Sequence, residues 1–376
     1  MSAERLHFVV GKGGVGKSTV SAALALACAR RGKRVLAVEL GGPGGLARLF
    51  GKVADAPGEF VRVEHRLSIG YVDGQSALAE YLELIIPIRR LLATVFSSRI
   101  YKNFVAAAPG LKELMTIGKI WYEFHRTHDD GRPVWDVIVV DAGASGHSLQ
   151  YLHMPAAAAR TFRSGLVHRE SERVAALLGD PGTTRIHVVA LAEDMPLTEA
   201  RQILERLDGD LRLPVGGVIV NRWRGEPPSG VEQALARLDE CCEEQLKYEG
   251  RGQKSASEAR RARGETSRSI QNVEGQVVDA GREGTASSCG RPQAAVDRGH
   301  AEEGAADELR IGAGVATAAR RELAWAELQR RCLDRFRRRT GVEPLLLPLL
   351  VTEEFGIGEV ERLARELAPL VQRTVR

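Results

Sequence analysis

The chain is poor in the residues that build special-purpose scaffolds. It has only 4 methionines and 5% aromatic residues in 376 positions, and its 5 cysteines, Cys28, Cys241, Cys242, Cys289 and Cys332, are odd in number and follow no repeating interval. Unpatterned cysteines exclude a disulfide framework and fit a reducing compartment. Cys241 and Cys242 are adjacent, too close in sequence for the ligand spacing of a structural zinc site, so no metal site of that kind is expected. Long apolar runs are missing as well: Leu345–Val351 is short, and the stretch around Leu84-Ile85-Ile86 is bounded by Glu83, Arg89 and Arg90, so no transmembrane segment is expected. The apolar run after Met1–Leu6 breaks at Gly11-Lys12, before a signal-peptide core is complete, and this predicts a cytoplasmic protein. Charge imbalance is small, 53 Lys+Arg against 49 Asp+Glu or a net +4, so no global field demands a nucleic acid or an anionic membrane as partner.

What is present is a β/α alternation. Short apolar runs at Leu6–Val10, Val35–Leu40, Val137–Val140, Ile186–Leu191 and Val218–Val220 read as buried parallel strands. Helical spacing at Thr19–Arg31 and Leu197–Leu207 lies between them, which predicts an α/β doubly wound, mostly parallel sheet with ligands at the strand carboxyl ends. Ser76–Tyr122 reads as successive helices broken near Pro87 and Pro109-Gly110, a helical cap over residues 76–122. From Glu243 to Arg310 the composition shifts to Gly, Ala, Arg, Glu, Ser and Gln without an apolar period, so 243–310 is expected to be a low-complexity, disordered insertion, with a regulatory segment or a reading-frame artefact as the alternatives. The expected organisation is therefore a core over 1–242, that insertion, and a segment 311–376 in which a basic helix Ala318–Thr340, a strand Pro344–Leu350 and a helix Ile357–Val371 complete the core.

The chemistry-bearing motif is Gly11-Lys12-Gly13-Gly14-Val15-Gly16-Lys17-Ser18-Thr19, which follows the first strand and opens the first helix. This is the G-x-x-x-x-G-K-[ST] phosphate loop in its required context. Its glycines let successive N–H groups face a phosphate, and the helix N-terminus adds its positive dipole end. Lys17 is placed to reach the β- and γ-phosphates, Ser18 offers a hydroxyl to Mg²⁺, and Thr19 is placed for the α-phosphate. Trp135–Asp141 is an apolar strand ending in a carboxylate, which makes Asp141 the second candidate at the Mg²⁺ site. The implied cofactors are ATP and Mg²⁺.

The extra lysine, Lys12, makes this loop resemble the deviant Walker A of the signature-lysine ATPases. Ala142-Gly143-Ala144-Ser145-Gly146-His147-Ser148-Leu149 after the second motif, and Ala108-Pro109-Gly110-Leu111-Lys112-Glu113 before it, are similar to elements of the arsenite-pump and tail-anchored-protein-targeting ATPase family. So are Val220-Asn221-Arg222 and Leu347-Pro348-Leu349-Leu350 with Glu354 and Gly356, and the likeness covers residues 5–240 and 318–371. The resemblance implies a P-loop ATPase fold, a homodimer with Lys12 reaching nucleotide across the interface, and an adenine contact from Asn221. It also implies a nucleotide-dependent switch acting on a protein or membrane-associated partner. His147 either reports nucleotide state through the switch or bonds locally within the turn.

Two departures temper that reading. Val38-Glu39-Leu40-Gly41-Gly42-Pro43-Gly44-Gly45-Leu46 places Gly41 where the family has a water-orienting aspartate, so nucleotide binding is better supported than fast hydrolysis. On sequence grounds Glu39 is a possible substitute, and Gly41→Asp would be expected to raise turnover. The family's methionine-rich client insertion and a trio of converging thiolates are also missing, so neither tail-anchor binding nor arsenite activation is expected. Two alternatives stay open: a weakly hydrolysing regulatory module, and a partition-type ATPase using the Arg330–Arg339 helix on DNA. Deleting Glu243–Arg310 behind a short linker is expected to leave nucleotide binding intact by calorimetry. Loss of cooperative thermal unfolding would show instead that the tract packs into the fold.

Overall fold

Val, Leu and Ile runs buried on both faces are the residues that a central parallel sheet selects, and the first strand, β1 (Leu6–Gly11), is buried at every position. The computed structural model describes residues 4–85, 110–143, 148–240 and 294–374. By internal contacts the chain divides into Met1–Gly225 with Leu328–Arg376, and Glu226–Glu327. In the first unit β2 (Val35–Leu40), β3 (Val61–Glu64), β4 (Leu67–Val72), β5 (Val137–Asp141), β6 (Thr184–Leu191), β7 (Val215–Trp223) and β8 (Leu345–Pro348) join β1. The order is β3-β4-β2-β5-β1-β6-β7-β8, and neighbours run parallel except β3 with β4.

Helices cover both faces. On one side α1 (Lys17–Arg30) packs with residues of α9 (Ile357–Glu366) and α10 (Ala368–Thr374) against Val9, Val35 and Val139. The alanine-rich α1 is buried along most of its length, which is why it carries no polar stripe. On the other side α4 (Leu111–His125), α5 (Ser148–Thr161), α6 (Leu166–Gly179) and α7 (Asp194–Arg206) pack against Leu6, Phe8, Val38 and Val140. Cys332, Leu333 and Phe336 of α8 (Ala294–Thr340) join this second cluster, so the basic helix buries an apolar stripe here. A short α2 (Gly45–Leu49) follows β2, and α3 (Gly74–Ile85) follows β4.

Three sequence expectations change in detail. Helix α8 begins at Ala294, not Ala318, so residues 294–310 are helical; Ala, Glu and Arg favour helix there without an apolar stripe to advertise it. The final helix is two helices separated at Leu367. The contact-defined boundary after Gly225 precedes the expected 242/243, because the last sheet bonds of β7 lie at Trp223 and Gln329 then ties Arg222 and Arg224 to the returning helix. Residues 86–109 of the expected cap, the Ala144–His147 part of the switch, and 241–293 of the insertion with Cys241, Cys242 and Cys289 lie outside the described residues. In the second unit a helical stretch at 231–240 is tied to α8 by an Asp239–Arg320 ion pair. No helix among the described residues is long and apolar enough to cross a membrane.

One buried polar pair sits between β1 and β6. The rings of His7 and His187 stack with centroids 5.3 Å apart, and His7 Nδ1 lies 3.1 Å from His187 Nε2. Their other nitrogens are buried without a partner. Burial pushes the two pKa values down to about 4 for His7 and about 3 for His187, with Arg185 adding repulsion to both. An unfolded histidine binds its proton below about 6.5, whereas this pair stays neutral, so the stability it contributes is complete above that pH and is lost as acid is added. We expect urea denaturation to show stability falling from pH 6.5 toward 4, and a flatter profile in the His7→Leu/His187→Leu variant. An equally steep profile in both proteins would remove the pair as the cause.

Candidate nucleotide site: a phosphate loop beside a buried carboxylate

The loop leaves β1 at Gly11 and enters α1 at Lys17, with Gly16 as the residue before the helix. Gly16 has φ of 90°, and a Cβ there would lie 2.3 Å from Asn221 Nδ2, so both conformation and space require glycine. Lys17 is buried, and its ammonium donates to the Lys12 carbonyl at 2.8 Å, which draws the side chain back across the loop. Burial lowers the Lys17 pKa, and the negative charge of Asp141 partly offsets this.

Asp141 reaches the loop through strand pairing. In the register of β1 with β5, Val9 is opposite Asp141, which sets the carboxylate beside the start of the loop. Its side chain is fully buried, and neither Oδ has a hydrogen-bond partner of good geometry. Burial raises its pKa to about 6; the Ser18 hydroxyl, Lys17 and the Gly143 N–H pull it down, while Glu39 pushes it up. An unpartnered buried carboxylate facing a hydroxyl and an ammonium is costly unless a ligand completes it. Ser18 and Asp141 supply oxygen donors of the kind Mg²⁺ takes, so the residues fit that cation.

The remaining sequence candidates fall around this corner. Lys12 is part-exposed and pairs with Glu199 of α7 at 2.6 Å. Asn221 is buried: its Nδ2 donates to the Val15 carbonyl at 3.0 Å and its Oδ1 accepts from the Arg222 N–H at 2.9 Å, so its amide braces the loop from below. Gly13 and Gly14 are exposed at the loop tip, Val15 is buried in the α1-side core, and Thr19 is half-buried in the first turn of α1. Cys28 and Cys332 are buried in separate hydrophobic clusters. Arg335 and Arg337 of the basic helix are paired with Asp194 and with Asp334 and Glu343, respectively.

Two residues gain importance that the sequence did not assign, and a third, Glu39, changes role. Glu199 pairs with Lys12, as above. Tyr151 of α5 places its hydroxyl 3.3 Å from where a Cβ on Gly41 would stand. Glu39, weighed only as a water-orienting base, instead accepts hydrogen bonds from the backbone of Gly44, Gly45 and Leu46. In sequence only its closeness to Gly41 signalled Glu39; Glu199 and Tyr151 depend on contacts far apart in the chain.

Together the fold and loop define an α/β protein of the P-loop class. A family model described as anion-transporting ATPase matches residues 4–168. Over those residues, which include the phosphate loop and Asp141, the chain is similar to the anion-transporting (ArsA) ATPase family. It is similar to the ATPase BagA of Mycobacterium tuberculosis, with 38% identity over 234 residues, 59% of this chain and 66% of the relative. The arsenical pump-driving ATPase of Escherichia coli is 28% identical over 221 residues, 53% of this chain and 36% of the relative. The ATPase get3 of Schizosaccharomyces japonicus is 22% identical over 262 residues, 61% of this chain and 78% of the relative. The chain thus spans just under two thirds of the mycobacterial relative and about a third of the bacterial pump ATPase.

The geometry revises the expectation for Gly41. Its φ of 95° is left-handed, and the Tyr151 hydroxyl fills the space beside it. Gly41→Asp is therefore expected to cost about 1–2 kcal/mol in chemical denaturation and to give no gain in turnover; a folded variant with faster turnover would overturn this. Asn221→Ala removes the brace under Val15 and is expected to weaken ATP binding about tenfold, with a stability loss of about 1–3 kcal/mol. Unchanged affinity in calorimetry would show that the loop holds its shape unaided.

Proposed function

We propose that the chain is a Mg²⁺-ATP-binding ATPase that dimerises and acts as a nucleotide-dependent switch on a protein or membrane-associated partner, in the manner its likeness to arsenical pump-driving ATPases suggests. The observation that carries this reading is the convergence of Lys17 and Ser18 with the buried, unpartnered carboxylate of Asp141 at the end of β5. In this role the loop amides and Lys17 bind and orient the phosphates as preorganised donors. Ser18 and Asp141 would hold Mg²⁺, which when bound neutralises charge on the transferred phosphoryl group. Asn221 keeps the loop in shape; with its Nδ2 bonded to Val15 and its Oδ1 to Arg222, the adenine contact that the family resemblance implies would require one of these bonds to be exchanged or shared.

Lys12 supports the dimeric part of the reading. Its pairing with Glu199 is part-exposed, and such pairs contribute little, so the ammonium is free to exchange that partner for a phosphate of a second copy at small cost. A slow, regulatory form of the same function is favoured by Gly41, whose conformation and neighbour leave no carboxylate at the expected water-orienting position. The partition-type alternative loses ground because Leu333 and Phe336 bury the basic helix against the sheet and Arg335 and Arg337 are already paired.

Three variants test the assignment. Lys17→Ala is expected to lose Mg²⁺-ATP binding, and equal affinity in variant and parent would contradict the site. Asp141→Asn is expected to fold but to bind ATP with little dependence on Mg²⁺, whereas an unchanged magnesium titration would remove Asp141 from it. Lys12→Ala is expected to bind nucleotide as a monomer, so ATP-driven dimerisation equal to the parent in sedimentation would exclude a role across the interface.

A further inference from the structure

The turn after β2 is held by a side chain from inside the sheet. Glu39 is 7% exposed, and its carboxylate accepts from the N–H groups of Gly44 at 3.1 Å, Gly45 at 2.8 Å and Leu46 at 3.3 Å. Charge-assisted bonds of this kind are stronger than neutral ones, and converging amides fix the turn as well as the carboxylate. The close approach is built into the sequence: a Cβ on Gly44 would lie 2.2 Å from Glu39 Oε1, and one on Gly45 would lie 3.0 Å from Ser18 Cβ. Glycine at these positions lets the turn touch both the carboxylate and the phosphate-loop serine.

The same carboxylate borders the nucleotide corner. Glu39 is the register partner of Asp141 in the parallel pairing of β2 with β5, so the two side chains leave the sheet on the same face. That face is the one covered by α1, which carries Ser18. Any change of charge at Ser18 and Asp141 therefore acts on a carboxylate that is also holding three backbone amides. A bound cation is the largest local charge such a corner can receive.

Resting on the nucleotide-binding reading above, we propose that Glu39 is a positioning residue that ties the Gly41–Leu46 turn to the Ser18–Asp141 corner, so that occupancy of the corner is felt at the turn. Glu39 touches no reacting atom in this role. It acts through the backbone of Gly44, Gly45 and Leu46, and through them on the start of α2. This differs from a base that orients water, because a carboxylate engaged by three amides has its lone pairs directed at the turn.

Hydrogen exchange of the turn amides, read by mass spectrometry on the full chain with and without Mg²⁺-ATP, tests the proposal. In the free protein Glu39→Gln, which keeps the size but loses the charge and one acceptor oxygen, is expected to speed exchange at Gly44–Leu46 about tenfold. Glu39→Asp, which keeps the charge on a shorter stem, is expected to do the same and serves if the glutamine variant does not fold. In the parent, Mg²⁺-ATP is expected to change the exchange of these amides about threefold or more, and in either variant that response is expected to vanish while ATP still binds. Turn amides that exchange alike in parent and variants overturn the proposal, as does a parental ligand response retained in a variant. Normal ATP binding in the parent without any response at the turn overturns the coupling alone, whereas failure of the parent to bind Mg²⁺-ATP overturns the nucleotide reading and the coupling with it.

Discussion

Parallel pairing of β5 between β1 and β2 is the constraint on which the site depends. It sets Asp141 opposite Val9 on one side and opposite Glu39 on the other. The strand ends therefore deliver two carboxylates to the place where the phosphate loop turns into α1. A carboxylate as deeply buried as Asp141 is costly to ionise, and Ser18, Lys17 and the Gly143 N–H offset only part of that cost, leaving its oxygens open to a ligand. The fold keeps this arrangement because the strands around it are locked by apolar packing on both faces. Stability elsewhere in the sheet thus sustains a local cost at its carboxyl edge.

Around that edge, short-range geometry separates binding from turnover. Lys17 is held by the loop's own carbonyl, Gly16 sits against Asn221, and the turn from Gly41 to Leu46 is held by Glu39. These contacts preorganise a phosphate cradle, which favours binding. Tyr151 fills the space beside Gly41, where the family resemblance leads one to look for a carboxylate. On the proposed reading, a loop preorganised for phosphates without a carboxylate at Gly41 suits a protein whose nucleotide state matters for longer than a single fast turnover.

Much of this was legible in the sequence because it is local. The phosphate loop lies within nine consecutive residues, and β2 emerged with its observed ends because Val35–Leu40 is a short apolar run bounded by polar or glycine residues. Asp141 was legible as the first carboxylate after such a run. Less legible were β3 and β4, whose runs Val61–Glu64 and Leu67–Val72 are broken by Arg62, Glu64 and Gly70 and gain their strand character from pairing. The start of α8 was hidden because a helix rich in Ala, Glu and Arg has propensity without periodicity. Long-range partners were not legible at all: Asn221 was recognised as a residue, but its bond to Val15 joins positions 206 residues apart. Glu199 and Tyr151 belong to the same class, since nothing near either in sequence announces Lys12 or Gly41.

The central claim is that one corner, built from the loop and Asp141, binds Mg²⁺-ATP and makes binding the signal for association. Sedimentation velocity and phosphate release measured on the same sample of the full chain test it most directly. The expected result is a monomer without nucleotide, a dimer with Mg²⁺-ATP, and phosphate release slow enough for the dimer to persist through the run. Saturating ATP binding with a sedimentation profile that never changes, or a dimer that forms equally without nucleotide, would contradict it.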